Sequence, residues 1–249
     1  MMKGLLGAVA AGSLVLSSAA MASGWAYEGE HGADHWGDLD PAFSTCARGT
    51  MQSPVDLGEA NASGAVSVST NWIAAPLAIL NNGHTVQANL PGGSTMRSGA
   101  KTFRLMQVHF HTRSEHTLQR RHFPMEAHFV HASDTGELAV LGVMFTWGAH
   151  NAELQKLIDA APRGVIGPIE HPEIVFDPTK LLPQGEPGIT VYRYMGSLTT
   201  PPCTEGVNWH IAEKPVEASE AQLSQLRAIM HDNARPVQPL NGRLLVAAR

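Results

Sequence analysis

Cysteine is scarce in this chain, which has only Cys46 and Cys203 among its 249 residues. The two lie far apart in the sequence, so neither can belong to a zinc knuckle or to a Cys-x-x-Cys redox motif. In an oxidising compartment they are expected to form one disulfide. Closing so long a loop would stabilise the fold by roughly 5 kcal/mol in the chain-entropy account. Two unpaired buried thiols are the alternative.

Charge is also sparse, because charged residues make up 16% of the chain, with 17 basic and 22 acidic side chains. Neither sign forms a long run, so the basic surface that nucleic acid or an anionic membrane attracts is missing. We therefore expect no nucleic-acid partner. There is no internal repeat and no linker, and a chain of this length that is 43% hydrophobic suits one globular domain.

The N-terminal region has no strongly apolar run of the roughly 20 residues that a membrane-spanning helix needs. Lys3 is followed by small and apolar residues from Gly4 to Ala20, and then by Ala20-Met21-Ala22. This pattern is typical of a secretory signal peptide with its cleavage site. We predict a signal peptide over residues 1–22 and one domain over residues 23–249, periplasmic or secreted and without a membrane anchor. A transmembrane anchor is the minor alternative.

Short apolar segments separated by turn residues predict a domain rich in strands. Residues 138–145 form a continuous apolar run, which is typical of a central strand buried on both faces. Helices are predicted over residues 151–160 and over residues 219–230, and the second begins with the Ser-Glu-Ala-Gln signature of a capping box. A proline-rich stretch over residues 162–187 separates these helices.

Histidine, in contrast, is concentrated in one stretch of the chain: six of the thirteen histidines lie in residues 107–131. Residues 103–111 alternate as a strand does, which predicts one face for Phe103, Leu105, Gln107, His109 and His111. A second alternating run, residues 125–131, carries Glu126, His128 and Val130 on one face. If this run is the antiparallel neighbour of the first, His128 lies beside the first two histidines.

Three neutral imidazoles without a fourth protein ligand are the donor set of a catalytic zinc site. The residues therefore predict that His109, His111 and His128 bind one Zn²⁺ ion. Gln107 and Glu126 each precede a ligand by two residues on the same face and could accept its second ring N–H. A purely structural histidine cluster, the alternative, would not need such partners.

Several motifs together make the chain similar to the α-class carbonic anhydrases of the exported bacterial type. They extend in order over nearly the whole mature chain. The matching segments are Gln52-Ser53-Pro54, Asn82-Gly83-His84, Gln107-x-His109-x-His111, Ser114-Glu115-His116-Thr117, residues 125–131, residues 196–203 and Trp209.

The resemblance implies a fold and a reaction. The fold would be mainly β (α+β), a single domain built on a large, mostly antiparallel, twisted central sheet with short peripheral helices. The reaction would be the reversible hydration of carbon dioxide to bicarbonate and a proton at Zn²⁺. The partners would be these small molecules, with a homodimer as a further expectation because related bacterial enzymes are often dimers.

The resemblance also implies a role for particular residues. Thr199 matches the hydroxyl that orients the attacking hydroxide, Glu115 matches the carboxylate that orients Thr199, and His84 matches the histidine that relays the proton. The remaining matches form the substrate pocket, which comprises Val130, Val140, Leu198, Thr200 and Trp209.

Two other functions fit part of the pattern. His109, His111 and Glu115 have the spacing of the first metal motif of the cupins, but the later glycine-rich segment with a fourth ligand histidine is not found. A carbonic-anhydrase-like module that binds a partner without catalysis is the second alternative. Metal content separates the first from carbonic anhydrase, and a hydration assay separates the second.

Overall fold

The structure is a computed structural model that describes residues 24–183 and 188–248, so the predicted signal peptide lies outside the described residues. One extended sheet dominates the structure. In chain order the strands are β1 (Ala62–Gly64), β2 (Ser67–Asn71), β3 (Ala75–Asn81), β4 (Val86–Asn89), β5 (Thr95–Ser98), β6 (Lys101–His111), β7 (Thr117–Leu118), β8 (Arg121–His122), β9 (Met125–Ala132), β10 (Leu138–Trp147), β11 (Ile166–Phe176), β12 (Ile189–Ser197), β13 (Glu205–Ala212), β14 (Val216–Ala218) and β15 (Leu245–Ala248).

Thirteen of these strands form a single sheet in which the order of the main path is β1-β15-β12-β13-β10-β9-β6-β4-β3-β11. Most neighbours are antiparallel, and the parallel pairs are β1 with β15 and β10 with β13 and β14. Strands β7 and β8 form a separate hairpin. The predicted fold class is therefore confirmed.

Strand β10 lies in the middle of the sheet between β9 and β13, and most of its side chains are buried. This position confirms the prediction that the continuous apolar run is a strand covered on both faces. Strand β11, at one edge, was not predicted, because its two prolines are uncommon within strands. An edge tolerates Pro168 and Pro172, since a missing N–H there costs no bond to a neighbour.

The strict alternation predicted for β6 is wrong at its centre. The pairing with β9 shifts register between Leu105 and Gln107, so that Met106 forms a bulge. Phe103 and Leu105 consequently belong to the apolar core on the face opposite His109. Because a bulge adds one residue to one strand, it exchanges the faces of the residues before it relative to those after it.

The α-helices are short and lie outside the sheet. They are α1 (Trp36–Leu39), α2 (Thr45–Arg48), α3 (Ala152–Ala160) and α4 (Glu220–Met230). Asn151 caps α3 with its side chain, and Ser219 and Gln222 form the predicted capping box of α4. None of the helices in the described ranges is long and apolar enough to cross a membrane.

Two apolar clusters cover the two faces of the sheet. The larger includes Phe110 and Phe129 of the sheet together with Leu154 of α3 and Leu226 of α4, so both helices pack on this face. The smaller includes Val140 and Trp209, and the Trp209 ring contacts that of His128. The sheet thus gives the candidate site a rigid base with an apolar flank.

The N-terminal segment contains only short helical turns, and it is attached to the body of the domain by Trp36, which is completely buried. The predicted disulfide is confirmed, since Cys46 and Cys203 are bonded with their Cα atoms 5.0 Å apart. The bond joins this segment to the loop after β12, which carries Thr199 and Thr200.

Candidate metal centre and its surroundings

Strands β6 and β9 bring together the three histidines that the sequence predicts as metal ligands. His109 and His128 are directly paired across the two strands, and His111 lies two residues further along β6. The ring centroids are 4.5 to 5.2 Å apart. One ring nitrogen from each residue lies within 4.8 Å of the other two, close enough for a single ion to bind all three.

Hydrogen bonds fix which nitrogen of each ring is available to a metal. His109 donates from Nδ1 to Oε1 of Gln107 at 2.9 Å, and His111 donates from Nδ1 to the carbonyl oxygen of Asn233 at 2.7 Å. His128 donates from Nε2 to Oε1 of Glu126 at 2.9 Å. The lone pairs that remain are on Nε2 of His109, Nε2 of His111 and Nδ1 of His128. Gln107 and Glu126 therefore lie where the sequence predicts them.

The three rings also have the protonation state that a metal needs. Burial lowers the pKa of all three, to about 4 for His111 and well below the ordinary value for His109. Nε2 of His111 is buried and has no hydrogen-bond partner among the described residues. A buried lone pair of this kind costs free energy unless a partner satisfies it, so this donor set fits a Zn²⁺ ion.

Glu126 also connects His128 to the segment between β6 and β7. Its Oε1 also accepts from Nδ1 of His116 at 2.8 Å, and its Oε2 accepts the backbone N–H groups of Glu115 and His116, both at 2.9 Å. Burial alone would raise the pKa of Glu126, but His116 and His128 outweigh it and hold the pKa well below the ordinary value. This carboxylate therefore stays charged and keeps His128 oriented.

Room for the Glu126 carboxylate comes from Gly142 on β10, which is paired with His128. A Cβ atom at Gly142 would lie 2.9 Å from Oε1 of Glu126 and 2.7 Å from Cδ1 of Ile211. The absence of a side chain is thus what admits the carboxylate. The sequence signal for this residue was a lone glycine in an otherwise apolar strand.

Glu115 lies on the other side of the metal-facing nitrogens. Its Oε2 is 3.6 Å from Nε2 of His111 and 3.9 Å from Nδ1 of His128, while its Oε1 accepts the backbone N–H of Arg235 at 2.8 Å. Burial raises the pKa of Glu115 to about 7, and the neighbouring Thr199 side chain acts in the opposite direction. Oε2 of Glu115 is buried without a hydrogen-bond partner among the described residues.

The residues predicted to form the substrate pocket lie together beside the histidines. Val140 and Trp209 belong to the smaller apolar cluster, and Val130 and Leu198 pack against it. The Trp209 ring centroid is 4.8 Å from that of His128. Thr200 is partly exposed, and its carbonyl oxygen accepts the backbone N–H of Cys203.

His84 lies in a turn and is half-buried rather than fully exposed. Its ring is stacked on that of Trp25, with 3.7 Å between centroids and 9° between planes. The ring of Tyr27 makes an edge contact with that of His84. Burial lowers the pKa of His84 from its ordinary value.

Sequence reasoning missed two residues that support the site. The side chain of Asn233 accepts the backbone N–H of Thr112 at 2.8 Å and donates to the carbonyl oxygen of Phe110, and its own carbonyl holds His111. Arg235 supplies the N–H to Glu115. Both follow α4 in an irregular segment, where no periodicity could have revealed them.

A buried set of neutral imidazoles beside a carboxylate and an apolar wall is typical of a metalloenzyme, and these residues could hold one metal ion. The sequence profile of eukaryotic-type carbonic anhydrase matches residues 31–249, so the chain belongs to the carbonic anhydrase family. The predicted family is thereby confirmed.

Individual relatives and solved structures support the family assignment. A carbonic anhydrase of Nostoc sp. is 41% identical over 229 residues, which cover 90% of this chain and 86% of the relative. The solved α-carbonic anhydrase of Photobacterium profundum is 45% identical, covers 89% of this chain and 99% of its own, and has a TM-score of 0.82. The Thermovibrio ammonificans α-carbonic anhydrase, solved with the inhibitor sulfanilamide, is 43% identical, covers 89% and 98%, and has a TM-score of 0.84.

Proposed function

We propose that this protein catalyses the reversible hydration of carbon dioxide to bicarbonate and a proton, with Zn²⁺ held by His109, His111 and His128. The observation that carries the proposal is the set of hydrogen bonds that leaves each of these rings with one inward lone pair. In carbonic anhydrases generally, zinc lowers the pKa of a water molecule to about 7 and so supplies hydroxide at neutral pH.

Neutral ligands matter because they leave the charge of the metal undiminished. Gln107, Glu126 and the Asn233 carbonyl each hold one ring N–H, so the imidazoles cannot rotate away from the ion. The burial that lowers the pKa of His109 and His111 keeps both rings neutral at physiological pH. In this proposal the sheet preforms the metal centre.

Thr199 and Glu115 would orient the nucleophile. In this role Glu115 would accept a hydrogen bond from the Thr199 hydroxyl, so that the Thr199 oxygen is left as an acceptor toward the attacking hydroxide. Arg235 fixes Glu115 through its backbone N–H. A positive ion at the histidines would oppose the burial that raises the pKa of Glu115 and would favour the charged carboxylate that this role requires.

Carbon dioxide would rest against the apolar wall formed by Val130, Val140, Leu198 and Trp209, with Thr200 beside them. An apolar surface suits an uncharged and weakly polar substrate, whereas the charged bicarbonate product gains nothing from it. The position of Trp209 beside His128 supports this side as the substrate side.

His84 would carry the released proton to solvent. Histidine is suited to this step because its ordinary pKa lies near neutral pH. Here burial lowers that pKa, so the ring is neutral and able to accept a proton at pH 7. The stack on Trp25 supports a defined position for the relay.

We also infer export through a signal peptide over residues 1–22, which leaves residues 23–249 as the catalytic domain in the periplasm or outside the cell. The Cys46–Cys203 disulfide supports an oxidising destination. A homodimer is part of this proposal on the strength of the resemblance alone.

The proposal is tested by stopped-flow hydration of carbon dioxide with a pH indicator, on the mature protein before and after zinc chelation. We expect rapid hydration that disappears on chelation and returns with stoichiometric Zn²⁺. No hydration despite one bound zinc per chain would refute the enzyme and favour a non-catalytic binding module. Iron in place of zinc, determined by elemental analysis, would refute the choice of metal.

A further inference from the structure

His84 lines an open cavity of about 630 Å³ together with one other histidine, His231. The cavity lies between the N-terminal segment, the turn before β4 and the C-terminal end of α4. His231 follows Met230, the last residue of that helix. The candidate proton relay thus has a second imidazole beside it, to which the proposed function gives no role.

Contacts on both sides of His231 hold its segment against that of His84. Sδ of Met230 is 3.5 Å from Oγ1 of Thr85. Nδ2 of Asn233 donates to the carbonyl oxygen of His84 at 2.9 Å, and Asn233 is completely buried. The two histidines are therefore neighbours in space through contacts that do not involve their own rings.

The backbone of His231 has a conformation that side chains disfavour. Its φ is 59° and its ψ is −162°, a region that glycine occupies almost alone. Its N–H donates to the carbonyl oxygen of Arg227 at 2.8 Å, and its carbonyl oxygen accepts the Thr112 hydroxyl at 2.6 Å. Strained residues that are held in this way are concentrated at functional sites. Glycine would suit this position better, so the presence of histidine indicates a use for its side chain.

The ring of His231 is free to exchange protons with solvent. The residue is exposed, and neither ring nitrogen has a hydrogen-bond partner among residues 24–183 and 188–248. Of the charged groups that line the cavity, Arg227 and Asp232 form an ion pair at 2.9 Å, and Glu28 is exposed. The negative charge of Glu28 favours a proton in this cavity.

His84 itself has restricted access to solvent. One face of its ring is covered by Trp25, and Tyr27 contacts its edge. Burial lowers the pKa of His84, so the protonated ring gives up its proton readily. Burial raises the pKa of Tyr27 well above its ordinary value, so the Tyr27 hydroxyl stays protonated and does not take part. A nearby exposed imidazole is then the suitable acceptor, because histidine ordinarily titrates near neutral pH.

We propose that His231 is a second proton relay, which takes the proton from His84 and releases it to solvent. This inference rests on the proposed function and extends its proton path by one residue. A ring nitrogen of protonated His84 gives up its proton, through water in the cavity, to a ring nitrogen of neutral His231. A buffer base then removes the proton from the exposed His231 ring, so both imidazoles return to the neutral form.

The test is stopped-flow hydration of carbon dioxide by the zinc-loaded mature protein and by His231→Gly. In weak buffer His231→Gly should lower kcat by about threefold or more, and concentrated imidazole buffer should restore it. The ratio kcat/KM should not change, because proton release follows the steps that this ratio reports. His231→Gly should unfold at the same or a higher urea concentration than the wild type, since glycine adopts this backbone conformation freely. A purely structural role would not make the variant slower without making it less stable.

His150→Gln is the matched control, since it removes one exposed histidine elsewhere and should leave kcat unchanged. If the two relays act in series, His231→Gly should cause no further loss of kcat in a chain that already carries His84→Ala. A readout without catalysis is the NMR signal of the His231 ring, which should move in His84→Ala while that of His150 stays in place.

An unchanged kcat in His231→Gly, a loss that imidazole does not restore, or an equal loss in kcat/KM would overturn the second relay. A His231 ring signal that ignores His84→Ala would overturn it as well. A zinc-loaded wild type that does not hydrate carbon dioxide would instead refute the proposed function, so the two failures are distinguishable.

Discussion

Arg235 donates its backbone N–H to Oε1 of Glu115 at 2.8 Å, while its guanidinium bonds Gln52 and the carbonyl oxygens of Ser53 and Cys46. The side chain is 2% exposed and lies against the Trp36 ring. One residue thus attaches the N-terminal segment to the Glu115 carboxylate. The position of Glu115 therefore depends on the contacts that hold Arg235 in place.

Replacing Arg235 by Met should lower both stability and kcat. The change leaves two buried acceptors and one part-buried acceptor without a donor, and we expect a loss of about 2 to 4 kcal/mol in the free energy of unfolding. Urea unfolding measures the first effect and stopped-flow hydration the second. Arg163→Gln is the control for the loss of one arginine. A kcat equal to that of the wild type would show that Arg235 does not position Glu115.

Gly142→Ala should weaken zinc binding by displacing the Glu126 carboxylate. The added Cβ would meet Oε1 of Glu126 and Cδ1 of Ile211, so Glu126 must move and lose its hold on His128. We expect about 10- to 100-fold weaker zinc affinity, the usual consequence of losing a partner of a metal ligand, measured by competition with a chelator. Gly164→Ala, where nothing lies within 4 Å of the new atom, should change nothing. Equal affinities in the two variants would contradict this account.

His131 should make stability depend on pH in the acidic range. Burial lowers its pKa from 6.5 to about 3, so the folded chain keeps the ring neutral while the unfolded chain binds a proton below pH 6.5. Stability contributed by this difference is complete above that pH and is lost as pH falls from 6.5 toward 3. His131→Phe should reduce the slope of unfolding free energy in this window by up to about 1.4 kcal/mol per pH unit.

Urea unfolding at half-unit pH steps would measure that slope. Phe keeps an aromatic ring beside Trp72, and the comparison variant His150→Gln removes an exposed histidine. His210, whose pKa burial lowers to about 4, contributes in the same direction and stays in both variants. An unchanged slope in His131→Phe would mean that His131 is not neutral when buried.

His84→Ala should slow hydration in weak buffer and leave the rate in concentrated imidazole buffer nearly intact, because a small base can replace a proton relay. Trp25→Ala should raise the pKa of His84, since burial is what lowers it. Stopped-flow assays test the first statement, and NMR titration of the His84 ring tests the second. A rate that does not depend on buffer in His84→Ala would remove His84 from the proton path.

The grouping of the three candidate metal ligands could be predicted from sequence because strand alternation is a local rule. His-x-His on β6 and the Glu-x-His run on β9 share faces whatever the rest of the chain does. Asn233 and Arg235 could not be found in this way, because their partners lie more than a hundred residues away in sequence and their own segment has no period. Only the assembled fold brings such groups together.

The fold shows the same division between local and long-range information. The capping signature of α4 was sufficient to locate its start, and the apolar run of β10 was sufficient to show that it is central. The bulge at Met106 could not be foreseen, since it depends on the register with β9. Strand β11 was missed because prolines are ordinarily evidence against a strand, and only an edge position permits them.

The two edges of the sheet affect how readily the protein aggregates in concentrated solution. At one end β11 interrupts its row of N–H donors with Pro168 and Pro172, and at the other β1 has only three residues. Neither edge can therefore serve as a long template for a strand of another molecule, the contact from which fibrils grow. Aggregation by strand addition is thus disfavoured, and a stable dimer would have to bury a surface other than these edges.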